Sequence, residues 1–218
     1  AKEIARRWPS PLMVAAGYSL GGNFALRLAL NAPANGLPLA RVAAVCPALD
    51  PERTTQAMEQ GLPLYQRYFI RKWSRSLRRK RELFPDVHGY DDAAFKLGLR
   101  ELTARLIEER GLGFASVDDY FDGYRISLDR LSALQVPVDI LTSRDDPVIP
   151  VDDFEMLQLP DTATLEIAAD GGHCGFLTDA RFNGYAERWV AERLSQALAP
   201  APVEVGLGHD PPGPVTRV

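Results

Sequence analysis

The chain is short of the residues that staple small secreted domains and of those that ligate metals. It has 2 cysteines and 3 histidines in 218 residues. Two thiols, Cys46 and Cys174, cannot make a disulfide framework, so a reduced cytoplasmic compartment is expected. No apolar run has the length of a membrane-spanning helix, and the first residues lack the pattern of a secretory leader. No glycine-rich loop of phosphate-binding length occurs, and no histidine, cysteine or acidic spacing is that of a metal site. Neither cofactor nor metal is therefore expected. Lysine is scarce beside arginine, and a net charge of -4 gives no reason to expect nucleic acid as a partner. Oligomeric state leaves no mark on the pattern.

What is present is ordinary for a globular chain, with 46% hydrophobic and 25% charged residues. The organising stretch is Leu12-Met13-Val14-Ala15-Ala16-Gly17-Tyr18-Ser19-Leu20-Gly21-Gly22-Asn23. It reads as a short buried strand, a sharp turn with a serine at its apex, and the start of a helix. Gly17 and Gly21 are expected to be glycines because a side chain at so tight a corner would collide with the neighbouring strand or helix. The helix start behind Ser19 presents unpaired N–H groups and a positive dipole end, which suits a developing oxyanion. The Leu20 N–H is the donor expected to serve there.

Around this stretch the pattern is that of a parallel sheet. Continuous apolar runs at 12–16, 40–46 and 137–142, with a more alternating run at 164–168, are separated by helical patterns. The first helix, up to Trp8, stops at Pro9-Ser10-Pro11, and a last helix covers Tyr185 to Leu198. Residues 51–134 hold no convincing strand. They carry helical patterns at 65–84, 91–110 and 117–134, and read as a lid inserted into a core made of 1–50 and 135–198. Residues 199–218 are Pro- and Gly-rich and are expected to be disordered. Within the lid, 67–81 is dense in arginine and lysine. It reads as a solvated helix face, or else, with Leu64, Tyr68, Phe69 and Trp73 among the charges, as a site of peripheral membrane contact or anionic substrate.

A serine hydroxyl needs a base within hydrogen-bond reach to act as a nucleophile. His209 lies in the tail and His88 in the lid, whereas His173 sits in a Gly-Gly-His turn just after a strand. His173 is the expected base. The base needs a carboxylate to fix its tautomer, and Asp145 and Asp146 both follow the third strand. Asp146, directly before Pro147, is favoured, with Asp145 as second choice. Whichever of the two is not catalytic is expected to shape the turn. Cys174 invites a thiol role, but a small buried hydrophobe is the preferred reading. The chain order Ser, Asp, His, each after a strand, is the order of the α/β-hydrolase fold.

The segments Gly17-Tyr18-Ser19-Leu20-Gly21-Gly22-Asn23, Asp145-Asp146-Pro147 and Gly171-Gly172-His173-Cys174-Gly175-Phe176 resemble the YheT-like branch of the α/β hydrolases. That branch also includes the ABHD group of eukaryotic lipases. The lid segment Phe114-Ala115-Ser116-Val117-Asp118-Asp119-Tyr120, with Ser127 and Leu131, is similar as well. The resemblance spans roughly residues 10–195 and departs at Cys174, where it would have valine. It implies a serine esterase or lipase acting on short-chain esters or acylglycerols, with Ser19 as nucleophile, Asp146 as orienting acid and His173 as base. Acyl transfer to an alcohol or thiol through the same intermediate is the alternative, and an inert fragment is a third reading. In the hydrolase fold the nucleophile follows the fifth of eight strands, so the chain is expected to be a C-terminal portion lacking strands one to four. The strand before Ser19 is then expected at a sheet edge.

Overall fold

The computed structural model describes residues 1–10, 12–110 and 113–198. In chain order the elements are α1 (Lys2–Arg7), β1 (Met13–Tyr18), α2 (Leu20–Asn31), β2 (Leu39–Val45), α3 (Pro51–Gln60), α4 (Pro63–Leu83), α5 (Leu99–Arg110), α6 (Val117–Tyr124), β3 (Val138–Ser143), α7 (Asp152–Glu155), β4 (Ala163–Ala168) and α8 (Tyr185–Leu198). The four strands form one parallel sheet in the order β1-β2-β3-β4. Parallel neighbours need crossover connections, and helices supply each of them. Because every strand runs the same way, the loops that leave the strand ends gather along one edge of the sheet. Tyr18 precedes Ser19, Ser143 precedes Asp145 and Asp146, and Ala168 precedes His173, so the candidate residues meet there.

The central strands are buried as their continuous apolar runs predict. Val42, Ala43, Ala44, Val45, Ile140 and Leu141 have no exposed surface, and they join Leu26 and Ala29 of α2 and Trp189 of α8 in one core. The exception in that run is Asp139, a carboxylate of zero exposure in the middle of β3. It is held by Arg41 Nε of β2 at 2.6 Å and by the Thr164 hydroxyl of β4 at 2.7 Å, with Arg193 of α8 at 3.6 Å. A buried charge needs such company, because the penalty for leaving it unpaired amounts to several kcal/mol. Glu166 of β4 extends the polar seam by accepting from the Tyr185 hydroxyl and the Trp189 indole N–H.

β1 departs from its reading as a buried strand. Ala16 and Tyr18 are exposed and Met13, Val14 and Ala15 half-buried. The reason is position: among the described residues β1 pairs on one side only, with β2, so it is an edge strand. β4, whose pattern alternates, is the other edge among the described residues.

Between β2 and β3 the described residues are helices and turns, with differences of detail. α3 is an additional helix. Asp50 caps it, its carboxylate accepting from the Glu52 and Arg53 amides, with Pro51 at the first helical position. The helix expected from residue 91 begins at Leu99, because the Asp91 carboxylate accepts from the Ala94 amide and closes a separate turn ahead of it. The one expected to reach 134 ends at Tyr124. Arg125 is extended there, and the Ile126 amide returns to Leu49 O at 2.8 Å, which buries the Ile126 side chain. The basic run along α4 is in part a packing device. Leu77 is buried with Tyr90, Phe95, Leu102 and Leu106, and the guanidinium groups of Arg78 and Arg81 cover the Phe95 ring at 4.4 and 5.2 Å. The expected disorder of 199–218 concerns residues outside the described ones.

Candidate active site

Ser19 is the first thing the local sequence forces into an unusual conformation. Its backbone has φ 53° and ψ -121°, a region that costs a non-glycine residue on the order of 1–3 kcal/mol unless its surroundings hold it there. They do. The Ser19 amide donates to Val45 O at 2.9 Å, and its carbonyl accepts from the Asn23 and Ala48 amides at 3.2 Å each. Asn23, fully buried, adds side-chain donations to Ala48 O and Tyr124 O at 2.7 and 3.0 Å. That anchor was not singled out from the sequence. Its only signal is an amide side chain in the first turn of a mostly apolar helix.

The two motif glycines are not equivalent. A Cβ at Gly17 would lie 2.1 Å from Gly21 O, and one at Gly22 2.9 Å from Pro47 Cβ, whereas a Cβ at Gly21 would meet nothing within 4 Å. The expectation that Gly21 lacks room is therefore corrected. The tight approach on the helix side falls on Gly22, because the second helical position points outward while the third faces the loop after β2.

His173 Nε2 lies 3.0 Å from Ser19 Oγ, and His173 Nδ1 lies 3.0 Å from Asp146 Oδ2. A carboxylate only accepts, so Nδ1 carries the proton, and in the neutral ring the Nε2 lone pair faces the Ser19 hydroxyl. The Asp146 side chain is completely buried, and its Oδ1 also accepts from the Val148 and Ile149 amides. Asp145 points elsewhere. Its Oδ1 accepts from the Gly171 and Gly172 amides at 2.8 Å, which pins the loop carrying His173 and holds its carboxyl below the usual range. Ser143 fastens the same loop by donating to Gly172 O at 3.0 Å. Of the two acids, the structure brings Asp146 to the imidazole and gives Asp145 the turn.

Two thiols complete the surroundings. Cys46 directly follows β2 and Cys174 follows His173, both at positive φ (43° and 64°), and Cys174 Sγ is 3.9 Å from His173 Nε2. Burial opposes a charged imidazole, but the Asp146 carboxylate and the Cys174 sulfur outweigh it and raise the His173 pKa to about 9. The Cys174 thiol is pushed down by a hydrogen bond from Cys46 and by the imidazolium, against burial. Cys46 is pushed up by the same hydrogen bond and by its burial. Cys174 is thus half-buried, packed against the main core and at the same time in polar contact through its sulfur. Cys46 Sγ, Cys174 Sγ and a His173 ring nitrogen lie within 4.8 Å of one another, a cluster that no spacing along the chain reveals.

Beside Ser19 opens a cleft of about 240 Å³. Its floor is Ser19, Leu20, Ala48 and Val148. Its walls come from α3 (Thr54, Thr55, Met58), α4 (Phe69, Trp73), α5 (Thr103) and α6 (Tyr120, Phe121). The lining is mostly apolar, with the buried Thr54 hydroxyl free of any partner among the described residues.

Residues 4–188 match the model of the alpha/beta hydrolase family. The chain belongs to the alpha/beta hydrolase family. Among solved structures it is similar to an esterase of Pyrococcus furiosus, with 12% identity and a TM-score of 0.52, over 91% of this chain and 59% of that one. It is also similar to a monoacylglycerol lipase of Paleococcus ferrophilus, with 18% identity and a TM-score of 0.46, over 90% of this chain and 72% of that one. The hydrolase chain thus spans about three fifths of the esterase it matches. No described helix is long and apolar enough to cross a membrane.

Proposed function

We propose that this hydrolase cleaves carboxylic esters, short-chain esters or acylglycerols, through an acyl-enzyme on Ser19. The observation that carries the reading is the unbroken hydrogen-bond line from Ser19 Oγ through His173 to the buried Asp146 carboxylate, with both links at 3.0 Å. Ser19 Oγ attacks the ester carbonyl carbon while its proton passes to His173 Nε2. The imidazolium that forms is stabilised by Asp146. The Leu20 N–H, first in α2, donates to the carbonyl oxygen as it gains charge. His173 then returns the proton to the departing alkoxide, which leaves as an alcohol. Water, deprotonated by His173, releases the acid and restores Ser19. The apolar cleft under α3 and α4 takes the acyl chain, and residues 51–134 act as its lid. The YheT-like branch is the finer assignment we favour, on the three motifs that surround these residues.

The test is labelling by a fluorophosphonate probe together with hydrolysis of a p-nitrophenyl ester. Wild-type protein should react at Ser19 and turn over, and Ser19→Ala should do neither. Turnover by Ser19→Ala at the wild-type rate would sink the proposal. Adding an alcohol or thiol acceptor separates hydrolysis from acyl transfer, since an acceptor that outcompetes water diverts the acyl group.

A further inference from the structure

We infer that Cys46, Cys174 and His173 form a binding site for a thiophilic divalent cation of the zinc class, and that filling it blocks the proposed acylation of Ser19. Two sulfurs and one imidazole nitrogen already lie within 4.8 Å of one another. Around tetrahedral zinc, Zn–S bonds of about 2.3 Å set the sulfurs roughly 3.8 Å apart. Closing the cluster onto a metal therefore takes shifts of an ångström or less. The approach is built into the backbone. The chain turns through positive φ at Cys46, as it leaves β2, and again at Cys174, beyond β4, and two loops distant in sequence thereby bring their thiols together. Cys46 Sγ reaches to 4.0 Å from Gly172 O, and Cys174 Sγ to 4.0 Å from Val45 O, so each thiol reaches the backbone of the other's loop.

The imidazole is prepared for the same ligation. A metal-bound histidine keeps one N–H for a carboxylate and offers the other nitrogen's lone pair, an arrangement that fixes tautomer and ring orientation. Asp146 already accepts from Nδ1, which leaves Nε2, 3.9 Å from Cys174 Sγ, as the ligand atom. Binding requires both thiols and Nε2 to be deprotonated and expels the protons they hold, the imidazolium proton included, so the cation and two thiolates sum to zero charge. Three protein ligands leave the fourth position to water. Soft thiolate with imidazole selects a zinc-like ion over magnesium or calcium, which prefer oxygen.

Exclusivity follows from the lone pair. Nε2 cannot hold a metal and take the Ser19 proton at once, so the metal-filled and nucleophilic states compete. The binding itself does not depend on the esterase reading, whereas the inhibition rests on it.

The experiment titrates the full chain with Cd²⁺ under argon and follows the ultraviolet thiolate-to-metal charge-transfer band, with Zn²⁺ as competitor. One Cd²⁺ per chain is expected. Cys46→Ser and Cys174→Ser should each lose the band, and His173→Gln should weaken binding by at least the roughly 10–100-fold seen for lesser changes around metals. Circular dichroism of each variant checks that it is folded, and the half-exposed position 174 keeps the test usable if Cys46→Ser is not. In parallel, Zn²⁺ should slow fluorophosphonate labelling by about 10²–10⁴-fold, the share a general base supplies, and a chelator should restore it. A missing band, or a band that survives in the folded double variant Cys46→Ser/Cys174→Ser, overturns the site. Cadmium binding by a chain that never labels overturns the esterase reading and leaves the metal site standing.

Discussion

The same substitution at the two motif glycines should have opposite effects. At Gly17, alanine places a Cβ 2.1 Å from Gly21 O, 2.3 Å from Gly21 C and 2.7 Å from Gly22 N. All three are backbone atoms of the first turn of α2, so no flexible side chain can give way, and the helix start must move off the strand end. Overpacking in a well-filled place costs about 1–3 kcal/mol, and a contact this short against backbone belongs at the upper end. At Gly21, alanine meets nothing within 4 Å and has no positive φ to oppose it. It removes freedom from the unfolded chain and improves helix propensity, a gain of about 0.4–1 kcal/mol. The pair should thus differ by about 3–4 kcal/mol. At roughly 2–4 °C per kcal/mol for chains of this size, Gly17→Ala should lower Tm by about 6–12 °C and Gly21→Ala should raise it by about 1–4 °C. Thermal unfolding by circular dichroism reads both. Equal destabilisation by the two substitutions would refute the turn geometry, and with it the placement of Leu20 N–H next to Ser19.

The other predictions concern His173 and the two acids. An imidazole held at a pKa of about 9 is mostly protonated at neutral pH, so if His173 is the base as proposed, labelling of Ser19 should climb from pH 7 towards 9. Cys174→Val removes one of the groups that raise it and should move the rise to lower pH, and a profile that stays put would refute the coupling. Because the folded pKa is raised above the ordinary histidine value of 6.5, the stabilisation is complete below that value and is lost as pH climbs through 9. Urea midpoints should fall over that window, and a flat midpoint would contradict it. Asp146→Asn should cut labelling on the order of 10⁴-fold by favouring the wrong tautomer. Asp145→Asn keeps an oxygen for the Gly171 and Gly172 amides and should cost labelling far less.

The elements whose neighbours are close in sequence were legible. Strand, turn and helix around Ser19 follow from an apolar run, two glycines and a helical pattern, and Tyr185–Leu198 appears with the bounds its periodicity implies. Ser19, Asp146 and His173 could be assembled because the topology sends every strand end to one side, which needs no knowledge of distances. The residues that escaped are those whose role is set by packing across the chain. Asp139 sits in an apolar run, and its pairing with Arg41, Thr164 and Arg193 explains a charge there. Gly21 fits the motif as well as Gly17 does, but the difference between them lies in which way a Cβ would point. Cys46 and Cys174 are far apart in sequence, so a rule built on ligand spacing passes over them.

Position in the sheet explains why the site is so thoroughly tied down from one side. The strand that delivers Ser19 is an edge among the described residues, and only Gly17 of it is buried. Its conformation is held instead by β2 and the loop that leaves it: the Ser19 amide on Val45 O, the Ala48 amide on Ser19 O, and Asn23 on Ala48 O. β2 is a strand with neighbours on both sides and near-complete burial, so it is the stiffest support available. The histidine loop leans on the same support through β3, since Ser143 and Asp145 fasten it and Cys46 N donates to Leu141 O. Ser19, Asp146 and His173 are therefore referenced to the β2–β3 pair rather than to β1. A chain that preserved that pair and altered the outer face of β1 would keep the Ser19–His173 distance. One that loosened the loop after β2, at Pro47 or Ala48, would lose it while leaving all three side chains in place in the sequence.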